Sequence, residues 1–233
     1  MRAFIPVDTY VKVNDATTRA AVCSYEHATE RDIKHRIYGY DDSSVAQTGT
    51  LAQDDPNDRS RLFGPRYTNL QASLSYGAAT FKHGVLYSPF YHFVAGIFPD
   101  NDFTNIPTGL RYTTVSRWNA FLGAARPFES STLLRDTDAI TCSQRPTGAF
   151  DDHLADVTVP VLYVGAGGGF GRAGLYSLTL LGSKDITTHI VGFFPPDKAA
   201  FDFGHVDLFY ARRAQQLVWR PIYHWLAQHS PHK

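Results

Sequence analysis

His205 lies in the decapeptide Phe201-Asp202-Phe203-Gly204-His205-Val206-Asp207-Leu208-Phe209-Tyr210, after a glycine and before an apolar helix start. A histidine on a short loop at the C-terminal edge of a strand can shuttle a proton near neutral pH, since its reference pKa is roughly 6.5. Asp207 falls early in the following helix, where a carboxylate suits the positive end of the dipole. The plainer reading of the same ten residues is a helix-capping loop that happens to hold a histidine. A second chemical feature is Gly165-Ala166-Gly167-Gly168-Gly169-Phe170-Gly171, with five glycines in seven residues. Backbone amides in such a loop could cradle an anion. Its spacing nevertheless fits neither the dinucleotide fingerprint nor the Walker loop with its Lys-Ser/Thr.

The elements that must position these residues read as an α/β arrangement. Val159 to Val164 is an apolar run without alternation, preceded by a polar lead-in and led by Pro160, as a parallel strand covered on both faces would be. Ala173 to Leu181 reads as a helix and Ile186 to Phe194 as the next strand. A long terminal helix is predicted from Leu208 to Gln228, with a kink or break near Pro221. At the other end, Ala3-Phe4-Ile5-Pro6-Val7 reads as a strand running into Asp8-Thr9, with Pro6 suited to an edge position.

Between these ends the chain is aromatic and weakly periodic. Thr17 to Arg36 has helical composition, Gly39 to Arg61 reads as a polar loop, and Thr68 to Phe81 as a helix with Leu70, Leu74 and Ala78 on one face. Tyr87 to Phe98 is crowded with aromatic residues, Ile106 to Leu110 is a turn, and Tyr112 to Ala125 a further helix carrying Trp118, Phe121 and Leu122. No internal repeat or low-complexity tract is present.

At 233 residues the chain suits one large domain or a domain with an insertion, and 43% hydrophobic with 14% aromatic residues argues against disorder. Twenty-two basic and 22 acidic residues cancel, which points to neither nucleic acid nor an anionic membrane as partner. No apolar run approaches the roughly 20 residues that span a bilayer, and Met1 onward carries no signal-peptide pattern. Localisation is left open by this, since an export signal upstream of Met1 would make the protein secreted or periplasmic. Cys23 and Cys142 are too few for a metal motif, and both two free thiols and one long-range disulfide fit the count.

Residues 155 to 229 resemble the C-terminal part of an α/β-hydrolase. The resemblance rests on Val159-Pro160-Val161-Leu162-Tyr163-Val164, a loop, a helix, a strand, Gly204-His205 and a closing helix, in that order. The family places its histidine after the last strand, in chain order nucleophile, acid, histidine, and His205 matches that position. By the same resemblance, residues 1–9 hold the core strand that follows the nucleophile helix, 10–154 form a large, mainly helical lid insertion, and 155–233 complete the core. The fold class expected is therefore α/β, a partial hydrolase parallel sheet with that lid. Tyr91, Phe93, Trp118 and Phe121 would shape an apolar pocket in the lid, although such aromatics can equally pack the insertion's own core.

Two departures qualify the resemblance. The family's acid usually follows the strand matched by Val159 to Val164, and Gly165 to Gly171 contains no carboxylate. A family variation puts the acid one strand earlier, where Asp8 stands; Asp202 is the alternative, and a site with no acid a third. Asp8 would orient the His205 imidazole and stabilise its charged form. The second departure is that Gly-x-Ser-x-Gly, the turn that exposes a nucleophilic serine, is absent from the 233 residues.

The function implied is a serine hydrolase, esterase- or lipase-like, acting on an ester with an apolar acyl or alcohol group. His205 would be its general base and Asp8 the orienting acid, with no cofactor and no metal. This chain is then expected to be a C-terminal portion, inactive alone, with Met1 an internal or mis-assigned start. Its truncated sheet would leave an open edge prone to self-association. Two rivals are a non-catalytic module that binds a hydrophobic ligand on the same scaffold, and a self-sufficient hydrolase using Cys23 or Ser75.

Overall fold

The computed structural model describes residues 3–41, 43–82, 91–126, 128–143 and 153–229. Its elements in chain order are α1 (Ala16–Lys34), β1 (Gly39–Asp41), α2 (Ser43–Asp54), α3 (Asn69–Ala78), β2 (Gly96–Ile97), β3 (Gly109–Leu110) and α4 (Val115–Gly123). They continue with β4 (Phe128–Ser130), α5 (Ser131–Cys142), β5 (Val161–Ala166), α6 (Gly171–Leu178), β6 (Ile186–Val191), α7 (Asp207–Tyr210) and α8 (Arg220–His229). The class is α/β.

β5 and β6 pair in parallel from Val161–Ile186 to Ala166–Val191. Residues 4–7 flank β5 on its other side, also in parallel, through Phe4–Val161 and Val7–Val164 bridges. Pro6 cannot donate, but its carbonyl accepts the Val164 N–H at 3.1 Å, so the ladder continues past it. All six residues of β5 are buried. Leu162, Val164 and Ala166 pack with Phe203, Leu208, Val218 and Trp225 on one face, while Val161 and Tyr163 pack with Leu178 on the other. That double coverage is why β5 shows no polar alternation. Among the described residues, neither 4–7 nor β6 has a second strand neighbour.

The middle of the chain forms two helical groups. α1 packs on α5, and the Cys23–Cys142 disulfide joins the two helices across 119 positions. Cys23 is therefore not a free thiol, which removes it as a nucleophile. The other group is α2, α3 and α4. Here the expected polar loop over 39–61 is corrected: it contains β1, paired antiparallel with β4, and the twelve-residue helix α2. α2 buries only Thr48, Gly49 and Ala52, so it lacks the apolar stripe by which helices are recognised. Its packing depends on close approach, since a Cβ at Gly49 would stand 2.5 Å from Asn119 O and from Gly123 N.

This second group shares one core with the histidine loop. Leu74, Val94, Phe98, Trp118 and Leu122 pack with Phe201 and Val206. The terminal helix is also broken differently from the expected kink at Pro221. α7 ends at Tyr210, Ala211 is extended, a π-helical turn covers Gln215–Trp219, and α8 follows. Tertiary bonds cause the break: Tyr210 O accepts from Thr113 Oγ1 at 3.0 Å, and Arg212 N donates to Tyr112 O at 3.0 Å. Pro221 has no N–H to offer Leu217 O, the carbonyl four positions back. His189 Nε2 donates to that oxygen instead, at 2.6 Å. No helix among the described residues is long and apolar enough to cross a membrane.

Candidate active site

Asp8 sits where the strand segment 4–7 ends, with φ at 44° and no solvent exposure. Its N–H donates to Val164 O at 2.7 Å, which keeps the residue in register with β5 as the chain turns. The carboxylate then points across the C-terminal end of β5. Oδ1 accepts the Ala166 N–H at 2.7 Å and Oδ2 the Phe170 N–H at 3.1 Å. Both donors come from the junction of β5 with the glycine-rich loop. Gly169 makes room for this, since a Cβ there would overlap Asp8 Oδ2. Downstream, Tyr163 Oη donates to Thr9 O at 3.1 Å and holds the chain beyond the turn.

His205 arrives from the other end of the sequence. Its Nδ1 is 2.7 Å from Asp8 Oδ2, and its side chain is 28% exposed. A carboxylate can only accept, so Nδ1 carries the proton and the neutral ring keeps its lone pair on Nε2. Nε2 has no hydrogen-bond partner among the described residues. The arrangement can therefore take a proton at Nε2 while a buried carboxylate stabilises the cation that forms.

The loop around His205 is held by the segment 91–95. His205 N donates to His92 O at 3.1 Å and Val206 N to Phe93 O at 2.7 Å. Asp207 fastens the two from the side, its buried Oδ2 accepting from Ala95 N at 2.7 Å and from Gly204 N at 3.0 Å. Its Oδ1 is buried with no partner. Burial pushes this carboxyl up to about 7, against the two backbone N–H groups that lower it. Asp202, the alternative acid, is also fully buried, but it accepts from the N–H groups of Phe193, Phe194 and Phe203 at 2.8, 3.3 and 2.8 Å. It shapes the loop and does not meet the imidazole.

Aromatic rings enclose the histidine. Tyr91, Phe170 and Phe209 lie 5.9, 5.6 and 6.4 Å from the His205 ring, centroid to centroid, and Tyr91 stacks on Phe170 at 4.0 Å. Tyr91 is buried, and that burial, with Asp8 second, raises its phenol well above the ordinary value. Phe93 touches Tyr91 at 5.2 Å and continues to Trp118 at 6.0 Å. Trp118 is buried in the helical core, its Nε1 donating to Ser73 O at 3.0 Å, and Phe121 packs beside it at 5.7 Å. Of the four aromatics singled out from sequence, Tyr91 thus reaches the imidazole and Phe93 backs it. Trp118 and Phe121 are not brought there. Of the aromatic run Tyr87 to Phe98 that holds Tyr91 and Phe93, the first part, 87–90, lies outside the described residues.

Other chemical candidates are committed elsewhere. The N–H groups of Gly167, Gly168 and Gly169 donate to Val191, Phe203 and Ala166 carbonyls, so the three are not open to an external anion, and the loop's anion contacts go to Asp8. Ser75 is buried in α3. Ser177 Oγ accepts the N–H groups of Val11 and Lys12. Among the described residues no group of three His, Cys, Asp or Glu gathers as a metal site would require.

Sequence reasoning missed Phe170, Phe209 and His92. Phe170 follows the glycines and reads as loop filling. His92 is fully buried, donates from Nε2 to Ala199 O at 2.9 Å, and loses basicity chiefly through that burial; nothing local in Tyr91-His92-Phe93 marks it. A scan against protein-family models, a search of curated proteins and a search of solved structures each return no match.

Proposed function

We propose that this chain carries the histidine and acid of a serine hydrolase with an α/β-hydrolase core, and that 10–154 is its lid insertion. The observation that carries the reading is the 2.7 Å contact between His205 Nδ1 and a fully buried Asp8. It stands at the C-terminal edge of three parallel strands, where the long-range order acid-then-histidine gives a base with Nε2 free. In the reaction Nε2 accepts the proton of a nucleophilic hydroxyl as its oxygen attacks an ester carbonyl. Nε2–H then protonates the departing alkoxide, and a water molecule repeats the sequence to release the acid. Asp8 keeps Nδ1–H in place throughout.

The chain holds no Gly-x-Ser-x-Gly, and among the described residues the buried serines are bonded or enclosed, so in this reading the attacking hydroxyl is supplied by upstream polypeptide. Removing such a nucleophile costs roughly 10⁶-fold in turnover, so the proposal expects the 233 residues alone to hydrolyse esters poorly. The rings of Tyr91, Phe170 and Phe209 favour an ester with an apolar acyl or alcohol group.

The test uses the coding sequence read in frame upstream of Met1. It is expected to encode Gly-x-Ser-x-Gly, and the resulting protein to hydrolyse p-nitrophenyl butyrate. His205→Ala is expected to abolish that activity; unchanged turnover would remove His205 from the mechanism. A second reading, a module that holds a hydrophobic ligand, is favoured by an apolar cavity of about 130 Å³ between Phe4, Tyr10, Val157, Tyr163, Leu178 and Leu181. An upstream stop codon, with retention of a dye such as 1-anilinonaphthalene-8-sulfonate in the His205→Ala protein, would support it.

A further inference from the structure

A second pocket, of about 210 Å³, is bounded by Arg111, Tyr112, Phe193, Phe203, Arg212 and Arg213. Three rings line it in mutual contact: Tyr112 is 5.6 Å from Phe193 and 4.9 Å from Phe203, and Phe193 is 6.2 Å from Phe203. Phe193 remains 51% exposed at the mouth.

The charged residues that line the pocket itself are all arginines. Arg111, Arg212 and Arg213 form no ion pair with any carboxylate among the described residues. Arg111 lies over the Phe194 ring at 5.6 Å, and its Nε–H is buried without an acceptor. A buried guanidinium donor left unpaired is costly, and native proteins rarely leave one without a ligand or water. Asp202 and Asp207 stand behind the aromatic layer, close enough to act on the Tyr112 phenol, which burial first and Asp202 second push up to about 12. Their carboxylates are turned to backbone N–H groups and reach none of the three guanidiniums.

We infer that this pocket binds a small aromatic carboxylate, its ring among Tyr112, Phe193 and Phe203 and its carboxylate on Arg111 and Arg212. Guanidinium forks match a planar carboxylate in two-point contact. The volume is below the roughly 300 Å³ at which pockets begin to hold drug-sized molecules, which suits a single ring. Arg212 lines the pocket, and its backbone N–H is fixed on Tyr112 O at 3.0 Å. An occupant would also touch Phe203, two positions from His205, although the inference does not depend on the proposed hydrolytic role.

Calorimetric titration of the 233-residue chain with benzoate tests it, beside benzamide (same shape, no charge) and acetate (same charge, no ring). Benzoate is expected to bind, with benzamide and acetate each weaker by about tenfold or more, as loss of a charge-assisted bidentate contact or of the ring stack implies. Arg111→Gln and Arg212→Gln should each weaken benzoate by a similar factor, while His205→Ala leaves it unchanged. If Arg111→Gln also lowers the unfolding midpoint, the exposed Arg212→Gln decides alone. Equal binding of benzamide or acetate, undiminished binding to Arg212→Gln, or loss of binding in His205→Ala would each overturn the inference.

Discussion

Asp8 Oδ2 and His205 Nδ1 are 2.7 Å apart although 197 positions separate them in the chain. Nothing local brings them together. Residues 4–7 and β5 run in parallel, with Val7 opposite Val164 two residues short of the end of β5, so the Asp8 carboxylate reaches over that end just where the loop after β6 delivers the imidazole. The contact is therefore a property of the sheet.

Replacing Asp8 tests what its three interactions contribute. Asp8→Ala leaves the buried N–H of Ala166 and the half-buried N–H of Phe170 without an acceptor, at about 1–3 kcal/mol for the buried group and less for the half-buried one. Urea unfolding is expected to record a loss of that order. Asp8→Asn, which keeps an acceptor oxygen, should lose less stability; in the nucleophile-bearing protein it should still lower ester turnover by about 10⁴-fold, because the ring is no longer held in the required tautomer.

Gly169→Ala is a more selective probe. Its new methyl overlaps Asp8 Oδ2 and not His205, so the carboxylate must move off the imidazole. Ester turnover is expected to fall by a factor approaching that of Asp8→Asn. Full activity in Gly169→Ala would mean that the close approach of carboxylate and ring is not needed.

Asp207 gives a pH dependence with a definite sign. Its carboxyl is raised from 3.8 to about 7 in the folded protein by burial, so between those values the folded state holds a proton that the unfolded chain has released. The stabilisation is complete below the unfolded value and is lost as pH rises through the folded one. Stability should decline from about pH 4 to pH 7, by up to ~1.4 kcal/mol per pH unit from this group. Asp207→Asn is expected to flatten that decline in urea midpoints taken across the range.

The core of the fold was legible because β5 is buried on both faces and its composition records it. The proline, the apolar run and the glycines after it needed no partner to be recognised. Other features depend on contacts that no local pattern contains. α2 meets α4 closely at Gly49 and buries only Thr48, Gly49 and Ala52, small residues that read as loop. The break after Tyr210 is set by Thr113 and Tyr112, a hundred positions away. The glycine-rich loop shows the same limit: its amides look available until Val191, Phe203 and Ala166 are seen to accept them. At the site, the carboxylate and the histidine carried chemical signals, whereas the supporting roles of Asp207 and His92 come only from what they bond.

Reducing the Cys23–Cys142 disulfide should matter because it closes 119 positions between α1 and α5. A cross-link over a loop of that size stabilises by roughly 4–5 kcal/mol in the chain-entropy picture, and by 2–5 kcal/mol in practice. Urea midpoints with and without dithiothreitol are expected to differ accordingly, and Cys23→Ser with Cys142→Ser should be insensitive to the reductant.

The most direct measurement of the central claim is a long-range ¹H–¹⁵N spectrum of the histidine-labelled chain, with His205 assigned by its loss in His205→Ala. In the neutral ring the proton is predicted on Nδ1, facing Asp8, with Nε2 unprotonated, and Asp8→Asn should disturb that preference. A His205 ring that carries its proton on Nε2 in the unmodified chain, or one indifferent to Asp8→Asn, would contradict the account.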